Sequence, residues 1–232
     1  MPDIIINGPE GRLEARYHPA GDKNAPIALV LHPHPLYGGT MNNKIVYNAF
    51  QAFVKQGFSV MRFNFRGVER SQGTFDNGIG ELSDAATALD WLQQQNPDSA
   101  TCWISGFSFG AWIAMQLLMR RPEIEGFVAI SPPANMYDFS FLAPCPSSGL
   151  VLMGDQDDVV QEEAVTKLVG KLSSQKHIDV AYKIIPGADH YYRNQMEKMN
   201  SALDEYLGER MENFSNSRRS RPDRKRRQLP RD

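Results

Sequence analysis

Ser108 stands at the centre of Gly106-Phe107-Ser108-Phe109-Gly110, a Gly-x-Ser-x-Gly pentapeptide. The pentapeptide follows the strand-type run Cys102–Ser105 and opens the helix-type run Ala111–Met119. A serine in a sharp strand-to-helix turn projects its hydroxyl into the open, and flanking glycines avoid clashes with the neighbouring strand and helix. The helix start then brings free N–H groups and the positive end of its dipole beside that hydroxyl. Nucleophilic attack on a carbonyl is the chemistry such a turn would serve. The pentapeptide also arises by chance in glycine-containing loops, so its position between strand and helix carries the argument.

A serine hydroxyl is a poor nucleophile unless a base takes its proton and a carboxylate orients that base. Behind a turn of this kind the chain order is Ser, then Asp or Glu, then His. Two histidines follow Ser108. His177 precedes a strand, which places it at the wrong end of a sheet and reads as a solvated loop residue. His190 follows the strand-type run Val180–Ile185, in the loop Pro186-Gly187-Ala188-Asp189-His190, and is the expected base. The acid should follow the run Gly149–Met153, where Asp155, Asp157 and Asp158 compete. Spacing does not choose among them, and Asp155 or Asp158 could instead cap the next helix.

Two N–H groups must meet the developing oxyanion. Phe109, next after the nucleophile, supplies one. The loop His32-Pro33-His34-Pro35-Leu36-Tyr37-Gly38-Gly39 supplies the other. Pro33 and Pro35 have no N–H, so His34 is the first able donor, with Leu36 in reserve. His32 and His34 have no matching ligand cluster, so no metal is expected, and no motif calls for a cofactor.

These residues need a scaffold that gathers loops at one edge. Ile4–Ile6 and Leu13–Tyr17 flank the turn Asn7–Gly11 and read as a hairpin. Apolar runs then recur at Ile27–Leu31, Phe58–Phe65, Thr101–Ser105, Gly126–Ile130, Gly149–Met153 and Ile178–Ile185. Helical periodicity fills the gaps, at Asn43–Gln56, Leu82–Gln95, Ser108–Arg120, Glu162–Leu172 and Tyr192–Leu207. The pattern predicts an α/β fold with an eight-stranded, mostly parallel sheet, an antiparallel N-terminal hairpin and helices on both faces. Ligands of such sheets sit at the carboxyl ends of the strands, where Ser108, the three aspartates and His190 all fall.

The 232 residues are 41% apolar, enough to fill a core. Of the 25 Lys/Arg and 27 Asp/Glu, eight and two respectively fall in Ser217–Asp232, so a basic tail follows an acidic body. The body gives no charge argument for nucleic acid; only the tail offers one. Residues 1–214 read as one domain, and 215–232 as a disordered extension. Cys102 reads as a core residue and Cys145 as a loop residue, with no disulfide framework. The first residues show no secretory pattern and no run spans a bilayer, so a cytoplasmic protein without membrane insertion is expected.

Several stretches resemble a bacterial branch of small α/β-hydrolases related to the dienelactone hydrolases. They are His32–Lys44, Phe63-Asn64-Phe65-Arg66-Gly67, Ser71-Gln72-Gly73, Gly106–Ala111, Gly154-Asp155-Gln156-Asp157 and Ala188-Asp189-His190. The match runs from about Ile27 to Leu207. The resemblance implies an α/β-hydrolase fold, Asp157 as the acid and His34 at the oxyanion position. The segment Arg66 to Asp84 resembles that branch too and reads as a rim loop, with Arg66 an ion-pair partner rather than a substrate clamp.

Only Ser131–Ser148 separates Ile130 from the next strand, where many relatives insert a lid. A minimal lid or none is expected, with a shallow site narrowed by Leu36, Tyr37, Met136, Tyr137, Phe141 and Tyr191, several of which could be ordinary edge packing. The expected activity is cleavage of small carboxylic esters or thioesters through a Ser108–His190–Asp157 acyl-enzyme mechanism. The rival from another class is a non-catalytic protein of the same fold whose basic tail contacts nucleic acid or another anionic partner. Monomer and homodimer both remain open.

Overall fold

The computed structural model describes residues 3–220. β1 (Asp3–Gly8) and β2 (Gly11–His18) pair antiparallel, with Gly8 opposite Gly11. β2 also pairs antiparallel with β4 (Ser59–Phe63). Every later pairing is parallel, through β3 (Ile27–Leu31), β5 (Cys102–Phe107), β6 (Ile124–Ile130), β7 (Ser148–Gly154) and β8 (Val180–Ile185). The sheet is eight-stranded in the order β1-β2-β4-β3-β5-β6-β7-β8, the expected architecture.

Both faces are covered. On β3, Ile27, Leu29 and Leu31 enter one apolar cluster while Ala28 and Val30 enter the other, as period-two alternation requires. α2 (Ile79–Gln95), α3 (Phe109–Leu118) and α4 (Glu162–Ser173) bury their apolar stripes on the first face. α1 (Lys44–Lys55) and α5 (Met196–Ser220) cover the second, with Phe50, Phe53, Leu203 and Leu207 fully buried. Each such side chain contributes about 1.5–3 kcal/mol of transfer free energy.

Sequence chemistry sets the helix ends. The Asn43 side chain accepts from the Ile45 N–H, and Gly57, at φ +81°, follows the end of α1. α2 starts earlier than its periodicity suggests because the Glu81 carboxylate reaches back to the N–H groups of Gly78 and Asp76. α5 starts later, after a turn in which Tyr192 has φ +53°.

α5 also continues to Ser220, so 215–220 are helical and the expected disordered tail does not begin at Ser215. A helix nucleated by packing propagates at little cost, and no proline intervenes before Pro222. The rest of that basic segment, 221–232, lies outside the described residues. Among the described residues no helix is long and apolar enough to cross a membrane.

The chain leaves β3 for β4 on one side, then returns to place β5 on the other. α1 and α3 depart to opposite faces, and the crevice between them is where a doubly wound sheet holds ligands. Ser131–Ser147 crosses this edge with one short 3-10 turn, Ser140–Leu142, and forms no lid domain.

Candidate active site

Ser108 is the single residue between β5 and α3, held at φ +53°, ψ −120°. Non-glycine residues occupy that region only when their surroundings force it. Its N–H donates to the Ile130 carbonyl at 2.9 Å, tying the turn to β6. A Cβ on Gly106 would lie 2.2 Å from the Gly110 carbonyl oxygen. One on Gly110 would lie 2.5 Å from the His32 and 2.6 Å from the Leu31 carbonyl oxygens. Both glycines are therefore steric necessities, and Gly110 lets α3 start against the end of β3.

His190 Nε2 lies 3.2 Å from Ser108 Oγ, and His190 Nδ1 lies 2.8 Å from Asp157 Oδ2. The His190 and Asp157 side chains are buried. With Nδ1–H donated to the carboxylate, the Nε2 lone pair faces the serine hydroxyl. Asp157 Oδ1 accepts from the Val159 and Val160 N–H groups at 2.9 and 2.7 Å. Burial alone would push the Asp157 carboxyl up. Its hydrogen bond and charge interaction with His190 and the two N–H groups outweigh burial and hold it below the ordinary carboxylate value.

The three competing aspartates separate by contact. Asp155 Oδ1 accepts from the Gly187 N–H at 2.6 Å. Asp158 is exposed. Neither caps α4, whose N-cap is Gln161 with no side-chain cap bond; that expectation is corrected, because the turn at 155–160 already uses Asp157 to satisfy its N–H groups. A Cβ on Gly154 would lie 2.0 Å from the Ala188 carbonyl oxygen, so the loops after β7 and β8 touch there.

Phe109 is the first residue of α3, so its N–H has no partner within the helix. The Leu36 N–H, the reserve donor, is taken by His34 Nδ1 at 3.2 Å. The His34 ring packs between Tyr37, Phe75 and Phe109, at 4.6, 4.8 and 4.9 Å. This joins the loop after β3 to the start of α3. His32 is buried, with Nδ1 2.6 Å from the Pro33 carbonyl and Nε2 accepting from the Phe65 N–H at 2.9 Å. Both its ring nitrogens are committed to the protein, so it has no lone pair for a metal. His177 is exposed in the loop before β8, at the opposite edge.

A family model for X-Pro dipeptidyl-peptidase, the S15 family, matches residues 11–226. The chain belongs to this family of α/β hydrolases. An uncharacterized protein of Rickettsia prowazekii is 61% identical over 211 residues, covering 89% of each chain. A crystal structure of a protein of unknown function from Agrobacterium tumefaciens, a candidate α/β hydrolase, is 57% identical with TM-score 0.89, covering 91% of this chain and 97% of that one. An α/β serine hydrolase without lid from Xanthomonas campestris is 32% identical with TM-score 0.80, covering 90% and 94%.

Among the described residues no lid domain covers the site of this α/β hydrolase. Leu36, Tyr37, Met136 and Tyr191 are exposed around it. Tyr137 instead packs inward, stacked on Trp112 at 4.3 Å and edge-on to Phe109 at 6.0 Å. Burial and the neighbouring Tyr37 hydroxyl push its phenol up. Phe141 stacks on Phe139 at 6.0 Å, away from the rim. Arg66 grips Asp84 through Nε and Nη2 at 3.0 and 2.8 Å, with both residues buried, which makes it the expected ion-pair partner.

Two contributors gave no sequence signal. The buried Tyr192 hydroxyl lies 3.1 Å from Ser131 Oγ, joining the loop after β8 to the end of β6. Burial pushes its phenol well above the usual value, with the Asp157 charge adding to the shift. Asp155 on Gly187 is the other. Neither follows from residue type, because Tyr191 and Tyr192 are indistinguishable until one points outward and the other in.

Proposed function

We propose that the protein is a serine hydrolase that transfers acyl groups of small carboxylic esters or thioesters to water. Ser108 attacks the carbonyl carbon as His190 Nε2 accepts its proton. Asp157 holds the ring by Nδ1–H and stabilises the charged imidazolium. The N–H groups of Phe109 and His34 stabilise the oxyanion. Collapse expels the leaving group with the proton from His190, and water, activated by the same base, releases the acid. The observation that carries this reading is the unbroken line of contacts Ser108 Oγ–His190–Asp157, at 3.2 and 2.8 Å, in a turn strained at the serine.

Esters and thioesters are favoured over amides because good leaving groups demand least of an open site. The family match favours a second reading, release of dipeptides ending in proline. That activity needs an anion to anchor the peptide's ammonium. Here Asp157, Asp155 and Asp189 are committed to His190, Gly187 and Arg193, and the rim residues Leu36, Tyr37, Met136 and Tyr191 are uncharged.

The test is labelling with a fluorophosphonate, followed by nitrophenyl esters graded in acyl length and Ala-Pro-nitroanilide. Ser108 should be labelled, Ser108→Ala should not, and short esters should turn over fastest. An unlabelled serine would end the reading. Faster cleavage of the nitroanilide would replace it with the peptidase.

A further inference from the structure

A crevice of about 500 Å³ opens between the start of α1 and the segment leading into α5, lined by Asn43, Lys44, Ile45, Tyr191, Arg193 and Met196. Tyr191 belongs both to this crevice and to the catalytic neighbourhood, since its ring stands edge-on to His190 at 5.2 Å. The Arg193 guanidinium sits 5.2 Å from the centre of the same ring. Its one ion pair among the described residues is with Asp189 at 3.3 Å, and its side chain is 71% exposed. Lys44 is exposed and makes no ion pair among the described residues. The first turn of α1 contains no acidic residue. The crevice therefore carries two cations against one carboxylate, whereas Leu36, Tyr37 and Met136 elsewhere on the rim are uncharged.

Charge and catalytic geometry point the same way. His190 must hand its proton to the departing atom, so the leaving group lies within hydrogen-bond reach of Nε2. Anything the leaving group carries a few bonds further can reach across the Tyr191 ring. We propose that this crevice receives an anion on the leaving group, a phosphate or carboxylate beyond the ester oxygen or thioester sulfur, while the uncharged rim takes an apolar acyl group. This rests on the acyl-transfer reading and names the substrate class for it.

The test compares three esters: 4-nitrophenyl butyrate, its analogue with a carboxylate on the nitrophenyl ring, and the glutarate hemiester with the carboxylate on the acyl side. The readout is kcat/KM, which spans binding through loss of the leaving group, divided by spontaneous hydrolysis. The ring carboxylate should gain about three- to tenfold over the neutral ester, the range for one or two exposed charge contacts. The hemiester should gain nothing.

In Lys44→Ala/Arg193→Ala the ratio of ring-carboxylate to neutral ester should fall to parity, and in Lys44→Glu/Arg193→Ala below it. In the wild-type enzyme the ratio should also shrink between about 0.05 and about 0.5 M salt, a readout that survives if a variant fails to fold. A ratio unmoved by the substitutions and by salt overturns the assignment, as does an equal gain for the hemiester or a parallel loss on all three esters. A wild-type protein that cleaves the neutral ester without preferring the ring carboxylate sinks only the crevice; one that cleaves none and resists the fluorophosphonate sinks the acyl-transfer reading.

Discussion

The Asp155 carboxylate accepts the Gly187 N–H at 2.6 Å, three residues ahead of His190 in the same loop. Two residues on, Asp157 holds the imidazole itself at 2.8 Å. One short turn thus fixes both the backbone that carries His190 and its ring. The two carboxylates should fail differently. Asp157→Asn should lower kcat on the order of 10⁴-fold with the fold intact, because the amide no longer enforces the productive tautomer. Asp155→Ala should cost about 0.5–1.5 kcal/mol of stability with a far smaller loss of kcat, and the exposed Asp158→Asn should change neither. Ester kinetics beside urea unfolding checks all three; equal losses of kcat at 155 and 157 would move the acid.

His32 makes the fold acid-sensitive. Burial lowers it from 6.5 to about 3. The unfolded chain takes up this proton near pH 6.5 and the folded one only near 3, so unfolding binds a proton in between. Stability contributed by neutral His32 is present above that window and is lost as pH falls through it, at up to about 1.4 kcal/mol per pH unit. His32→Gln keeps an acceptor for the Phe65 N–H and removes the titration. Its unfolding free energy should fall less steeply than wild type between pH 6.5 and 4, and identical slopes would refute the assignment.

The Tyr192–Ser131 hydrogen bond, buried at 3.1 Å, should show coupling. Tyr192→Phe and Ser131→Ala each leave a buried hydroxyl without its partner, whereas the double variant leaves none. The double-mutant cycle should give a coupling of about 0.5–1.5 kcal/mol in unfolding free energy. Additive losses would mean that the contact contributes nothing.

Arg66→Met takes the guanidinium from the buried Asp84, leaving it only the backbone N–H of residue 66, and should destabilise by about 3–5 kcal/mol. Adding Asp84→Leu should recover part of that loss, because it removes the bare charge but leaves the residue 66 N–H without its acceptor. Activity should suffer in the single variant too, because the same loop carries Phe75, whose ring lies 4.8 Å from His34 and 6.0 Å from Phe109. Thermal melts together with ester kinetics test both effects.

The scaffold was legible because its signals are local. The run Ile27–Leu31 is apolar at every position and is β3 residue for residue. The serine turn was equally readable, since glycine, serine and glycine between a strand and a helix have few other uses. What escaped depends on contacts between distant segments. Asp155, Asp157 and Asp158 share a residue type within four positions, and only the approach of the loop after β8 gives them different partners. Tyr191 and Tyr192 look alike in the sequence, because a positive φ at Tyr192 decides which ring turns inward. The helical stretch 215–220 was hidden for another reason: its composition is polar, and its order derives from the packed turns before it.

Among the described residues the short crossing from Ser131 to Ser147 carries no lid domain beside Ser108. With no lid domain to swing aside, turnover should be paced by bond making rather than by hinge motion. Choice among substrates should then fall to whatever touches the molecule during a brief visit. Such a surface discriminates by charge and contour at its margins, and it trades enclosure for rapid exchange.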